Sequence, residues 1–204
     1  PEAGSALIAA NHRSYLDPLV VGFLGARIDR PVRFLAKKEV TDAPVTGPIA
    51  TALGAIRVDR GGDTTAAFAQ AETALRAGEL LAIFPQGTIP RGRQFFEPEL
   101  AGRHGAVRLA AQSGSPLVPV GLWGTERAWP RNSRTPYLLN LADPPTISIT
   151  VGEPYVPDGT DLDAATADLM GRIVDLLPDE ARHRREPTEA ELARTVPAGA
   201  DVDG

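Results

Sequence analysis

Six short apolar runs, none longer than a strand, alternate with helix-like segments along most of this 204-residue chain. The runs are Ser5–Ala10, Val32–Ala36, Gly54–Val58, Glu79–Phe84, Pro116–Leu122 and Thr146–Val151. Between them lie helical segments at Leu19–Leu24, at Asp63–Ala77 with Gly78 as its stop, and at His104–Ser113 with Gly114 as its stop; Ala164–Leu177 follows the last run. Ser14-Tyr15-Leu16-Asp17 has the form of a capping box ahead of the first helix, and Pro18 falls in its first turn. Strands that alternate with helices must be mostly parallel, because each crossover helix returns the chain to the same edge. The expected fold is therefore a single α/β domain over residues 1–177, a mostly parallel mixed sheet flanked by helices. Ligands of such sheets gather beyond the carboxyl ends of the strands. His12, Arg60 and Pro85–Thr88 all follow strands, so one cleft can collect them.

Composition narrows the chemistry. The chain has no cysteine, which removes disulfides, a thiolate nucleophile and cysteine-ligated zinc. Its net charge of −5 argues against nucleic acid as a partner. Arginines nevertheless crowd between Arg57 and Arg134, a local cationic region suited to a small anion. The longest apolar runs, such as Leu80–Pro85 and Leu117–Leu122, fall far short of the about 20 residues that cross a bilayer. The first residue is proline and a strand follows almost at once, as expected of a segment cut from a longer protein. Residues 178–204 are charged and poor in large apolar side chains. They read as a polar tail with one short helix at Thr188–Thr195 and a partly disordered end.

His12 and Asp17 stand five residues apart, at a strand end and a helix start. A turn there can bring imidazole and carboxylate into hydrogen-bond reach, so that the carboxylate fixes the tautomer of a general base. The same spacing also fits a helix cap made by Ser14 and Asp17 with His12 as an ordinary loop residue. The sequence has no Gly-x-Ser-x-Gly elbow and no Walker loop, so it gives no support to an acyl-enzyme or a nucleotide mechanism. Arg60 can hold a phosphate in bidentate geometry, with Gly61-Gly62 allowing close backbone approach.

The block Asn11-His12-Arg13-Ser14-Tyr15-Leu16-Asp17-Pro18 resembles the Asn-His-x-Ser-x-x-Asp-Pro block of the glycerolipid acyltransferases, the PlsC-like family of lysophosphatidate acyltransferases. Three further blocks follow in the family's order: Gly54-Ala-Ile-Arg-Val-Asp-Arg60, Phe84-Pro85-Gln86-Gly87-Thr88 and Val118-Pro119-Val120-Gly121. Lys37-Lys38-Glu39 resembles a lysine segment that the family often carries between the first two. The resemblance covers about residues 5–155. It implies that His12, paired with Asp17, removes the proton from an acceptor hydroxyl as that oxygen attacks a thioester carbonyl. It also implies substrate-phosphate ligands at Arg60, Lys37 and Arg91, and an acceptor-site loop at Pro85, Gln86, Gly87 and Thr88. The implied acceptor is 1-acylglycerol-3-phosphate and the product phosphatidate. The implied donor is acyl-CoA or an acyl-carrier protein, with no metal and no bound cofactor.

The third block departs from the family. Gln86 replaces the usual glutamate and Ile89 the usual arginine, and Arg91 is the nearest substitute cation. These changes leave the proton transfer intact and put the acceptor in question. The rivals are another lysophospholipid or a glycolipid acceptor, a hydrolase, and a lipid-binding module without turnover. Residues 122–141 interleave Trp123, Trp129 and Tyr137 with Arg127, Arg131 and Arg134, a pattern suited to a lipid interface as well as to ordinary packing. The expected location is the inner, cytoplasmic face of a membrane, where a peripheral enzyme meets its lipid.

Overall fold

The computed structural model describes residues 3–42, 46–52, 54–58, 64–137 and 144–197. The chain enters β1 (Ala6–Ala10), then α1 (Asp17–Ala26) and β2 (Val32–Lys37). Two short helices, α2 (Lys38–Thr41) and α3 (Thr46–Ala52), precede β3 (Ile56–Val58). Next come α4 (Thr65–Arg76), β4 (Leu80–Ile83), a 3₁₀ turn at Gly92–Phe96, and α5 (Gly105–Ser113). The last strands are β5 (Leu117–Trp123) and β6 (Ser148–Val151), separated by the single-turn α6 (Thr125–Ala128). The chain continues through α7 (Leu162–Asp175), α8 (Asp179–Arg182) and α9 (Glu189–Arg194).

The six strands form one sheet in the order β3-β2-β4-β1-β5-β6. Five run parallel, and β6 closes the edge antiparallel to β5. This is the mostly parallel mixed sheet expected from the alternation. Strand β1 sits near the middle and is buried on both sides. Its alternation sorts Leu7 and Ala9 into one core with α4, α5 and α7, and Ala6, Ile8 and Ala10 into the other with Val21 of α1. Helix α1 covers its face thinly. Leu19 and Phe23 point away from the core and remain about half exposed, and Tyr15 just before the helix is similar.

Two local expectations change. The reciprocal capping box does not form at α1, because the helix begins at Asp17 rather than after Ser14. The Ser14 hydroxyl donates instead to the Trp129 carbonyl (2.7 Å) and accepts from the Leu16 N–H (3.1 Å). Only the return half survives, with the Asp17 carboxylate accepting the Ser14 N–H at 2.8 Å. The complete box appears at α9, where Thr188 and Glu191 exchange side chain and backbone, and Arg185 holds the Glu191 carboxyl down to about 2.

The tail from residue 178 to 197 is folded back on the domain. Thr195 is buried and accepts the Gly92 N–H at 2.7 Å, while Arg184 pairs with Glu97 and Arg93 with Glu186. Glu180 accepts from the Trp123 indole at 2.5 Å. Residues 198–204, which include the end expected to be disordered, lie outside the described residues.

One backbone position between β5 and α6 allows no side chain. Gly124 has φ +87°, and a Cβ there would stand 2.1 Å from the Thr146 carbonyl oxygen. Positive φ and overpacking each cost about 1–3 kcal/mol. Gly124→Ala should therefore lower the unfolding free energy by about 2–6 kcal/mol. Urea denaturation measures this, and an unshifted midpoint would mean that the corner is free to move.

Candidate active site

All the parallel strands end on one edge of the sheet, and that edge carries the residues singled out by the sequence. His12 follows β1, Pro85–Thr88 follow β4, and Lys37 ends β2. Strand β3 stops at Val58 on the same edge, two residues before Arg60. Arg60 itself, with Gly61 and Gly62, lies outside the described residues, and so does the side chain of Lys37.

His12 and Asp17 meet. Nδ1 of His12 is 2.7 Å from Oδ2 of Asp17, whose side chain is wholly buried. The same oxygen accepts the backbone N–H of Arg13 (2.6 Å) and of Ser14 (2.8 Å). A carboxylate offers acceptors only, so Nδ1 is the donor and carries the proton. The lone pair is then on Nε2, which has no hydrogen-bond partner among the described residues. The His12 ring stacks on Phe84, with centroids 4.2 Å apart and planes 18° from parallel, and keeps 18% of its surface exposed. A ring held on its face by an aromatic and on one edge by a carboxylate has little freedom left except at its far edge.

The loop around this pair is clasped from three directions. Asn11 grips β5 with both ends of its amide, accepting the Leu122 N–H at 2.7 Å and donating to the Leu122 carbonyl at 2.9 Å. Ser14 holds Trp129, as described above. Gln86 accepts the His12 N–H at 2.6 Å, so the amide at the glutamate position supplies the acceptor that couples the acceptor-site loop to the histidine. These roles of Asn11 and Gln86 rest on contacts 111 and 74 residues apart, which spacing in the sequence does not reveal.

The acceptor-site loop makes a turn in which the Gly87 N–H donates to the Phe84 carbonyl at 2.8 Å. Gly87 has φ +73°, and a Cβ on it would lie 3.0 Å from Nε of Arg103. Arg103 therefore lies across this loop. It is exposed and has no carboxylate partner among the described residues, and the sequence reading passed it over. Pro85 is buried, its carbonyl taking the Arg103 N–H, and Thr88 is exposed. Arg91 is exposed at the head of the 3₁₀ turn.

Ile89, in the family's arginine position, is buried at 3% exposure. Its carbonyl and that of Pro90 accept from Arg131 instead. Arg131 is thus a buried clamp and not a lipid-facing cation; desolvation is compensated by carbonyls of a loop that needs them. Trp129 is likewise no exposed anchor. It is half-buried, donates to the Ser133 carbonyl and meets Tyr15 edge-on at 5.8 Å. Leu138, Leu139 and Leu141 of the same segment lie outside the described residues.

An imidazole tethered to a buried carboxylate beyond the carboxyl ends of a parallel sheet has the geometry to take a proton from a hydroxyl. The Acyltransferase family model matches residues 1–123, and the chain belongs to that family. A 1-acyl-sn-glycerol-3-phosphate acyltransferase of Borreliella burgdorferi is 28% identical over 137 residues, covering 65% of this chain and 51% of its own length. The lyso-ornithine lipid O-acyltransferase of Brucella abortus is 28% identical over 203 residues, covering 89% of this chain and 74% of its own. Mycobacterial relatives at 31% identity are spanned over only 42% of their length. The crystal structure of the 1-acyl-sn-glycerophosphate acyltransferase PlsC from Thermotoga maritima has the same fold, with a TM-score of 0.64 at 22% identity over 86% of this chain and 67% of that one.

The hydrogen-bond directions can be checked without substrate. Long-range ¹H–¹⁵N correlation spectra of neutral His12 should show the Nδ1–H tautomer, and Asp17→Ala should remove that preference. A dominant Nε2–H form in the native chain would contradict the geometry.

Proposed function

We propose that this chain transfers a fatty acyl group from acyl-CoA or an acyl-carrier protein to the free hydroxyl of 1-acylglycerol-3-phosphate, giving phosphatidate. The observation that carries this reading is the His12–Asp17 pair, with Nδ1 occupied and Nε2 open. Nε2 takes the hydroxyl proton while the oxygen attacks the thioester carbonyl. The charge formed on the imidazole is balanced by Asp17 at 2.7 Å. The tetrahedral adduct then collapses, the C–S bond breaks, and the imidazolium returns the proton to the leaving thiolate. No bound cofactor is required by this sequence of steps.

We assign the acceptor phosphate to this edge, with Lys37 at the end of β2, Arg91 and Arg103 near the Pro85–Thr88 loop, and Arg60, two residues beyond β3 in the sequence, as its expected ligands. A second acceptor class has support of its own. Gln86 and Ile89 depart from the phosphate-acceptor pattern, and the lyso-ornithine lipid O-acyltransferase of Brucella abortus covers 89% of this chain against 65% for the Borreliella burgdorferi enzyme. Thiol release from acyl-CoA, measured with lysophosphatidate, with other lysolipids and with water alone, separates these acceptors from hydrolysis.

The expected outcome is acceptor-dependent thiol release that His12→Ala lowers at least about 10³-fold while the melting temperature stays within a few degrees; removal of a general base costs about 10²–10⁴-fold. Retention of turnover in His12→Ala sinks the assignment. Arg60→Ala should raise the KM for the acceptor well above any change in the KM for the donor.

Lipid contact is assigned to the outer face of α1. No helix among the described residues is long and apolar enough to cross a membrane. Tyr15, Leu19 and Phe23 recur every fourth residue and form an exposed apolar stripe that begins two residues before Asp17. We assign this face to the inner membrane surface, where thioester donors are at hand. Leu19→Ser with Phe23→Ser should lower the partition coefficient onto anionic vesicles, read by co-sedimentation, by at least about a hundredfold, since each buried apolar side chain contributes about 1.5–3 kcal/mol. Unchanged sedimentation would move the contact elsewhere.

A further inference from the structure

The charged tail is tied to the catalytic loop through two aromatic rings. Arg13, the residue after His12, is buried, and its guanidinium lies between the Phe95 and Trp123 rings, 4.2 Å from each centroid. Its backbone N–H donates at 2.6 Å to the same Asp17 oxygen that holds His12. A planar cation between two rings is held on both faces, so its position follows theirs. The tail holds both rings. The Trp123 indole N–H donates to Glu180 at 2.5 Å, and Arg127 of α6 shares that carboxylate. Phe95 belongs to the 3₁₀ turn Gly92–Phe96, and the tail grips this turn along its length. Thr195 accepts the Gly92 N–H, Arg93 pairs with Glu186, and Arg185 stands 4.9 Å over the Phe96 ring. Arg184 pairs with Glu97 just past the turn.

The turn carries Arg91 at its head. The backbone is pinned on either side of that residue. Arg131 donates to the Ile89 and Pro90 carbonyls before it, and Thr195 takes the Gly92 N–H after it at 2.7 Å. Thr195 is 2% exposed and donates its own proton to the Leu192 carbonyl at 2.7 Å, so its hydroxyl is fixed in direction. The ion pairs between tail and turn are exposed and individually weak. The Thr195 bond is sheltered from water, and its loss would leave the Gly92 N–H without an acceptor. The attachment of the tail therefore depends on this threonine.

We infer that the tail positions the acyl-transfer site and that Thr195 is its positioning residue. Thr195 acts through the turn and not on substrate. It holds Arg91 in place for the acceptor. Through Phe95, with Glu180 holding Trp123 on the other side, the tail also steadies Arg13 and hence the Asp17 carboxylate that orients His12. This rests on the acyl-transfer reading and assigns to residues 178–197 a part in it. The consequence is a division between the substrates, since a freed Arg91 weakens the hold on the acceptor and leaves the donor alone.

The test compares Thr195→Val, which keeps the shape and removes the acceptor oxygen, with Thr195→Ser, which keeps the hydroxyl, both in the whole chain. In the thiol-release assay, Thr195→Val should raise the KM for whichever lysolipid supports turnover by about three- to tenfold, the scale of one hydrogen bond, with the KM for acyl-CoA within about twofold. Thr195→Ser should match the native chain. Amide hydrogen exchange, followed by NMR, reads the link without substrate. Thr195→Val should speed exchange at Gly92, and also at Arg13 and Ser14, whose N–H groups are bonded to Asp17, while Leu7 and Ile8 of β1 keep their native rates. A general loss of stability would speed β1 as well. Should Thr195→Val fail to fold, Arg184→Glu with Glu186→Arg takes its place. Both side chains are exposed, the net charge is kept, and both pairs with the turn become repulsive. Unchanged exchange at Arg13 and Ser14, or an unchanged acceptor KM, overturns the proposal and leaves the tail as packing. If the native chain turns over no lysolipid, the acyl-transfer reading falls, and the exchange pattern alone decides the link from Thr195 to Arg13.

Discussion

The buried carboxylate of Asp17 organises the catalytic edge. One oxygen of it gathers an imidazole and two backbone N–H groups, all within 2.8 Å. A wholly buried carboxylate without such donors would be strongly destabilising, so the loop must close around it for the fold to be tolerable. Its place in the first turn of α1 adds the favourable field of a helix N-terminus. The geometry of the base is thereby made a condition of folding. A chain that packs β1 against α1 has already set the His12 tautomer.

The six strands were legible because each is a short apolar run, most of them bounded by glycine, proline or a charged residue. The direction of β6 was not, since half-exposed alternation is the same whichever way a strand runs. Helices α2 and α3 also escaped notice. They are four and seven residues long, and α2 buries none of its side chains, so neither has an apolar period to detect. At the site, His12 and Asp17 could be paired on paper because only five residues separate them. Arg131 reaches Ile89 across 42 residues, and nothing near either position announces the contact. Proximity in sequence to tryptophan and leucine instead gave Arg131 the look of an interfacial residue. The contacts of the tail were hidden in a similar way, although its short helix was legible. Its affinity for the domain comes from ion pairs and one buried threonine, and charged composition reads as solvated whether or not a partner waits for it.

The departures at Gln86 and Ile89 look like losses when the third block is taken alone. In three dimensions each is answered. Gln86 keeps an acceptor on the His12 N–H. Ile89 gives its side chain to the core, and a guanidinium arrives at the same loop from α6's far end. Motif substitutions of this kind are judged better by the groups they leave around the loop than by letter identity.

The place of β1 in the sheet has a consequence for how the protein is made. Its two neighbours pair with it at Leu80 and Leu117, so the strand leaves the ribosome long before either partner exists. At about 5–20 residues per second, the wait for β5 is roughly 5–20 s. During that time a strand apolar on both faces, with His12 two residues past its end, waits for the neighbours it pairs with here. Long-range parallel pairing of this kind is slow, and it leaves the strand open to aggregation until translation has passed Trp123.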